Sequence, residues 1–167
     1  FAAKVVGTNK TVTATGYAIG GTDAGNYSLT GQPSGIAASI TAKALTITGL
    51  SAAGKTYDGS VAASLTGTAA LVSGGVIAGD SVSLTGSGTG SFATKTVGVD
   101  KQVMVSGYSL SGADAGNYSI AQPANLVATI TRATLSVANV AVANKVYDGT
   151  TAATVSGAAL TGMASGD

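Results

Sequence analysis

The chain has 167 residues, a net charge of +1 and 25 Gly, and only 9% of it is charged, against roughly 25% in an ordinary globular domain. It contains no Cys, His or Trp, and its seven acids (Asp23, Asp58, Asp80, Asp100, Asp114, Asp148, Asp167) are all Asp, which removes thiol and imidazole nucleophiles, zinc sites and haem ligands, so an enzyme is not expected. Arg132 is the single Arg, leaving no basic stripe to gather phosphates, and no apolar run is long enough to span a bilayer; neither nucleic acid nor membrane insertion is expected.

In chain order, Thr11-Val12-Thr13-Ala14-Thr15 alternates with period 2 and reads as the solvent face of a strand, the competing reading being a flat hydroxyl array for ice or sugar. Asp23-Ala24-Gly25-Asn26-Tyr27 reads as a tight turn, because Asp and Asn bond their own backbone and Gly supplies positive φ. Leu45-Thr46-Ile47-Thr48 alternates as a strand, Ser51-Ala52-Ala53-Gly54 reads as a turn, and Tyr57-Asp58-Gly59 carries a strong Asp-Gly turn signal beside a Tyr expected to be a half-buried anchor with a bonded hydroxyl. Val82-Ser83-Leu84-Thr85 is the next strand, and the Gly- and Ser-rich stretch from Gly86 to Ser91 reads as a turn. A strand follows around Val103-Met104-Val105-Ser106, then a turn from Gly112 to Asn117 that repeats the Asp-x-Gly-x-Tyr pattern. Strands over 118–121 and Leu126-Val127-Ala128-Thr129-Ile130-Thr131 complete the series. No segment carries a 3.6-residue stripe.

The chain repeats itself. Lys55-Thr56-Tyr57-Asp58-Gly59 returns as Lys145-Val146-Tyr147-Asp148-Gly149, an offset of 90, and Asp23-Ala24-Gly25-Asn26-Tyr27 returns as Asp114-Ala115-Gly116-Asn117-Tyr118, an offset of 91. Phe1 pairs with Phe92, Lys4 with Lys95 and, three residues having been dropped, Asp167 with Asp80. The period divides the chain into the C-terminal part of one repeat (1–42), a complete repeat (43–132) and the N-terminal part of the next (133–167). The expected fold is all-β, as tandem antiparallel β-sandwiches of immunoglobulin-like type in an elongated array, with Tyr27 and Tyr118 at equivalent corners and their rings mostly buried. The two partial repeats expose unpaired edges and are expected to be completed by further chain or by a neighbouring molecule.

Five motifs in fixed order carry a family likeness: Tyr-Asp-Gly early in the unit, Gly79-Asp80 near its middle, Phe92 with the Gly98 turn, then Asp-Ala-Gly-Asn-Tyr and a closing Ile-Thr. Together they resemble the YDG-type, MBG-like tandem modules of large bacterial surface adhesins, including filamentous-haemagglutinin-like exoproteins. The resemblance implies a secreted, cell-surface protein whose modules form a stalk or fibre, with neighbouring repeats as partners, head-to-tail self-association as an option, and no catalytic residues. The alternative is a binding module that engages glycan, ice or another surface protein through Thr and Tyr faces or loop tips. No cofactor is expected; calcium wants six to eight oxygens, and Asp114 with Asn117 is the nearest candidate set. The structural motif residues are thus Tyr57, Asp58 and Gly59, Tyr147, Asp148 and Gly149, Asp23, Gly25, Asn26 and Tyr27, and Asp114, Gly116, Asn117 and Tyr118.

Overall fold

A computed structural model describes residues 1–167 and is all-β: sixteen strands and two three-residue 3-10 turns. No helix is long and apolar enough to cross a membrane. Packing groups the chain into two compact units, the first of Phe1–Ile47, Ala70–Gly86 and Tyr108–Ala121, the second of Thr48–Ala69, Ser87–Gly107 and Gln122–Asp167. Each unit therefore draws on one terminal stretch and on part of the central period.

In the first unit, β1 (Gly7–Thr11) pairs antiparallel with β2 (Ala37–Ile40), and β7 (Ser83–Thr85) with β10 (Ser109–Ser111). The opening of β3 (Lys43–Ala52) runs parallel to β11 (Tyr118–Ala121), with Tyr118 opposite Lys43 and Ala121 opposite Thr46. Leu45 on β3 and Tyr118 on β11 are the buried side chains here, at 2% and 7% exposure. β6 (Leu65–Leu71) lies on the other side of β3 in the same sheet.

The second unit centres on a five-stranded sheet in the order β4 (Lys55–Thr56), β12 (Leu126–Thr131), β9 (Gly98–Ser106), β8 (Thr89–Phe92), β5 (Ala62–Ala63). Alternation decides its two faces: Val103 and Val105 on β9 and Ala128 and Ile130 on β12 are buried, whereas Met104 between the valines and Val127 just before Ala128 are exposed. The buried set closes around Phe92, Val103 and Ile130, with Tyr57, Ala52, Leu65 and Leu126 packed at its border. Two small ribbons complete the unit, β13 (Ser136–Ala138) with β16 (Ala159–Thr161) and β14 (Ala141–Val142) with β15 (Val155–Ser156).

Several expectations need correction. Pairing is mostly antiparallel, but β3–β11 and β4–β12 are parallel; the strands that open the central period lie beside those that close it, and the long chain between them makes the crossover that parallel neighbours require. The Gly86 to Ser91 stretch is not all turn, since β8 begins at Thr89. Gly90 sits opposite Ala63, and a Cβ there would stand 2.7 Å from the Ala63 carbonyl oxygen, so the glycine admits a close strand neighbour. β3 continues through Ser51 and Ala52, and only 53–54 interrupt it before β4. β1 ends at Thr11 and 12–20 take no regular structure, so Thr11 to Thr15 form no flat hydroxyl array.

The 91-residue offset is written into the backbone. Asn9 (φ 49°) and Asp100 (φ 47°) both occupy the left-handed region, each at the register shift of its strand pair, β1–β2 and β9–β12. Asn and Asp are the side chains that take this conformation at least cost.

Candidate functional site

The Tyr-Asp-Gly turn is a self-contained clamp. Lys55, leaving β4, donates through Nζ to Asp58 Oδ1 (2.8 Å), to the Ser60 carbonyl oxygen (2.8 Å) and to Ser60 Oγ (3.0 Å). Asp58 Oδ1 also accepts from the Ser60 backbone N–H (2.9 Å) and hydroxyl (3.0 Å), while Gly59 takes φ +79° to turn the chain. Lys55 first, then the Ser60 N–H, pulls the Asp58 carboxyl down from its ordinary 3.8 to about 2. The copy reproduces every bond: Lys145 to Asp148 (2.9 Å) and to the Thr150 carbonyl (2.8 Å) and hydroxyl (3.0 Å), and Asp148 from the Thr150 N–H and hydroxyl (2.9 Å each), with Gly149 at φ +70°. Lys145 likewise holds the Asp148 carboxyl low. Tyr57 is half-buried against the core, as its motif suggests, but Tyr147 is 93% exposed. The clamp thus needs only its own six residues, whereas the Tyr needs a core to pack on.

The Asp-Ala-Gly-Asn-Tyr segments also share one backbone. A 3-10 turn spans Ala24–Asn26 and another Ala115–Asn117, preceded by Asp23 and Asp114 at φ −101° and −102°, and followed by Tyr27 and Tyr118 at φ −129° and −128° with ψ 154° in both. Gly25 and Gly116 lie within these turns with open space around them, but against expectation neither takes a positive φ, because a 3-10 turn keeps its residues right-handed. Beyond the backbone they diverge. Tyr118 is buried and its hydroxyl donates to Asp80 Oδ2 (2.7 Å) and accepts from the Ile77 N–H (3.0 Å). Burial first, then the Asp80 bond, pushes the Tyr118 hydroxyl pKa up. The bond crosses to a distant segment instead of closing back on the local chain. Tyr27 is 71% exposed, against the expectation that both rings are buried.

Asp114 and Asn117 are likewise engaged. Asp114 Oδ2 accepts from the Ser81 N–H (2.9 Å) while the Asp114 N–H donates to the Ser81 carbonyl (3.1 Å), and Asn117 Oδ1 accepts from the Val6 N–H (2.9 Å). One oxygen of each side chain is thus taken up by a backbone N–H, and nowhere do three or more acidic side chains gather.

Sequence reasoning paired Lys4 with Lys95 and Asp80 with Asp167 but missed what these pairs do. Lys4 meets Asp80 at 3.5 Å, and Lys95 meets Asp167 at 2.7 Å. Each pair joins a Lys of one period to an Asp of the next. Around Lys4–Asp80 lies a cleft of about 190 Å³ lined by Val6, Lys43, Ile77, Asn117 and Tyr118. Around Asp167 lies one of about 340 Å³ lined by Val97, Ala133, Leu135, Ala164 and Tyr57. Val6 and Val97, Lys43 and Ala133, and Ile77 and Ala164 are period-equivalent. The Asp80 N–H bonds the Ile77 carbonyl (3.0 Å) and the Asp167 N–H the Ala164 carbonyl (3.3 Å), so the turn that presents the carboxylate is the same. In the second, larger cleft the small Ala133 and Ala164 stand where the first has Lys43 and Ile77. Lys95 first, then the Tyr57 hydroxyl, lowers the Asp167 pKa, and Asp167 in turn raises that of Lys95, whose ammonium lies 5.8 Å from the Tyr57 ring centre. Ion pairs this open are screened by salt and define geometry more than they add stability.

In these arrangements carboxylates take backbone N–H, hydroxyl and ammonium donors from the same chain. No curated protein and no solved structure matches the chain. Among protein families the match is to the YDG domain, over residues 1–35, 41–125 and 131–167, so that the chain belongs to the YDG domain family.

Proposed function

We propose that the chain is a run of structural modules, each an immunoglobulin-like β-sandwich of about 90 residues, joined into an elongated extracellular array that forms the stalk or fibre of a bacterial cell-surface adhesin. The observation that carries this reading is the twice-formed clasp, in which a Lys of one period meets an Asp of the next at both period boundaries. Both clasps lie inside a packed unit, Lys4–Asp80 in the first and Lys95–Asp167 in the second, so one bond closes both units, and repetition of one closed unit is what a spacer requires. The absence of Cys, His and Glu leaves little catalytic chemistry to weigh against it, and the likeness to adhesin repeats supplies the cell-surface setting.

Small-angle scattering and labelling of intact cells test the two halves of the proposal. A compact globule of this length has a radius of gyration of about 15 Å, and an array should exceed it clearly. An antibody raised against the chain should label intact source cells as strongly as lysed ones. A globular envelope overturns the array, and labelling only after lysis overturns the surface location.

A further inference from the structure

Asp58 and Asp148 are the two acids of the chain that are followed by Gly. In an Asp-Gly pair the glycine nitrogen can attack the aspartyl side-chain carbon, since no Cβ on the glycine stands in its way. The new C–N bond closes a succinimide, and the nitrogen's proton leaves with a carboxyl oxygen as water. A second water then opens the ring, and opening at the former backbone carbonyl leaves isoaspartate, with an extra methylene in the main chain. The reacting form is the neutral carboxylic acid, because a carboxylate is a poor electrophile. The turn itself calls for the vulnerable pair: φ is +79° at Gly59 and +70° at Gly149, the latter with open space where a Cβ would stand, so conformation and not crowding demands glycine there. Burial gives no shelter, since the two Asp side chains are 53% and 52% exposed.

We propose that Lys55 and Lys145 guard the Asp-Gly bonds of their turns against this isomerisation, by pinning the Asp carboxylate to the residue after the glycine. One oxygen carries the arrangement. Oδ1 accepts from the Lys ammonium and from the N–H and hydroxyl of Ser60 or Thr150, all at 2.8 to 3.0 Å. Each donor favours the carboxylate over the acid, and attack at the side-chain carbon has to break them. The ammonium is anchored in turn on the carbonyl and hydroxyl of that same residue. An ion pair this exposed adds little stability, yet every bond recurs in a turn whose Tyr147 packs on no core, so the shared task of the two Lys is to hold the carboxylate. Drawn from 3.8 to about 2, the Asp58 carboxyl carries its proton about sixty times less often at about pH 5 than an ordinary aspartate. Screening of half-exposed charges brings the expected slowing to about tenfold. This goes beyond the stalk reading and does not lean on it, since it concerns the chemical lifetime of the turns and not what the modules space apart.

Storage of the 167-residue chain at about pH 5 and about 37 °C tests the guard, with isoaspartate at each turn read by peptide mapping. Folded wild type should isomerise at Asp58 and Asp148 about tenfold or more slowly than the same chain unfolded in guanidinium at that pH. Lys145→Met alters a side chain outside the packed core, and circular dichroism should show the variant folded. It should remove most of the difference at Asp148 while Asp58 stays slow, so that each molecule carries its own control; Lys55→Met should do the reverse. Carboxyl NMR titration should show Asp148 moving up towards the ordinary carboxylate range in Lys145→Met and not in Lys55→Met. Equal rates in folded and unfolded wild type overturn the guard, as does a folded Lys145→Met chain that isomerises at Asp148 no faster than wild type.

Discussion

Lys95 reaches Asp167 across 2.7 Å and 72 residues of chain, and Lys4 stands in the same relation to Asp80 at 3.5 Å and 76 residues. Three of the four residues by which the spans differ are lost in the third stretch, between its Tyr-Asp-Gly turn and the turn ending at Asp167, and the fourth where the offset passes from 91 to 90. β6 runs from Leu65 to Leu71, while its counterpart region is broken into β15 and β16. The loss is absorbed before the carboxylate-presenting turn, which leaves the clasp intact.

Within the first clasp the two partners should be unequal. Asp80 accepts from the buried Tyr118 hydroxyl as well as from Lys4, whose side chain is 81% exposed. Asp80→Ala should lower the melting temperature by about 4 °C or more, since it strands a buried donor, and Lys4→Ala by about 1 °C or less. Thermal unfolding followed by circular dichroism compares them.

Acid should act through the clamps. The Asp58 carboxyl is held at about 2, and Asp148 and Asp167 are also lowered. A depressed folded pKa means that the unfolded chain binds protons first, so the contribution is complete above the ordinary carboxylate value and is lost as pH falls from about 4 towards 2. Melting temperature should be flat from about pH 7 to 5 and decline below that, and Asp58→Asn should make the decline shallower while lowering the plateau.

Alkali should find Tyr118 last. Its pKa is raised because burial and the bond to Asp80 both favour the neutral phenol, so its stabilising contribution is full below pH 10 and lost above it. Absorbance titration of the phenolates should show a late component that Tyr118→Phe abolishes.

The second unit's core should respond to volume and closeness. Phe92→Ala empties a site 2% exposed and should cost about 3–5 kcal/mol in chemical denaturation, while Val127→Ala, on the open face of β12, should stay within about 0.5 kcal/mol. Gly90→Ala should cost more than about 1 kcal/mol, because its Cβ would press on the Ala63 carbonyl and on Leu65.

Legibility in the sequence followed the range of the interactions. β12 spans the same six residues that its alternation marks, since alternation is local, whereas the Asp-Ala-Gly-Asn-Tyr segments close as 3-10 turns in which Gly25 and Gly116 take no positive φ and the Asp114 and Asn117 side chains bond Ser81 and Val6 instead of their own backbone. β8 was hidden because Thr89-Gly90-Ser91 carries no apolar alternation; its strand character comes from β5 and β9 on either side. The fate of the corner tyrosines was hidden for a similar reason. Tyr27 and Tyr118 are identical locally, and only segments more than thirty residues away in sequence decide which ring is covered. The Lys–Asp pairs gave a signal, two residues recurring at almost one interval, but recurrence alone does not say that they touch.

The packed units are out of phase with the sequence period, each taking residues from two successive periods. A gene for such a chain can gain or lose one period by unequal crossing-over at any point along it. The product still carries every half-unit next to its complement, because removing a whole wavelength does not change the phase. A cut at a period boundary, by contrast, splits a packed unit, so the stretch that is natural for recombination is not the stretch that is natural for proteolysis.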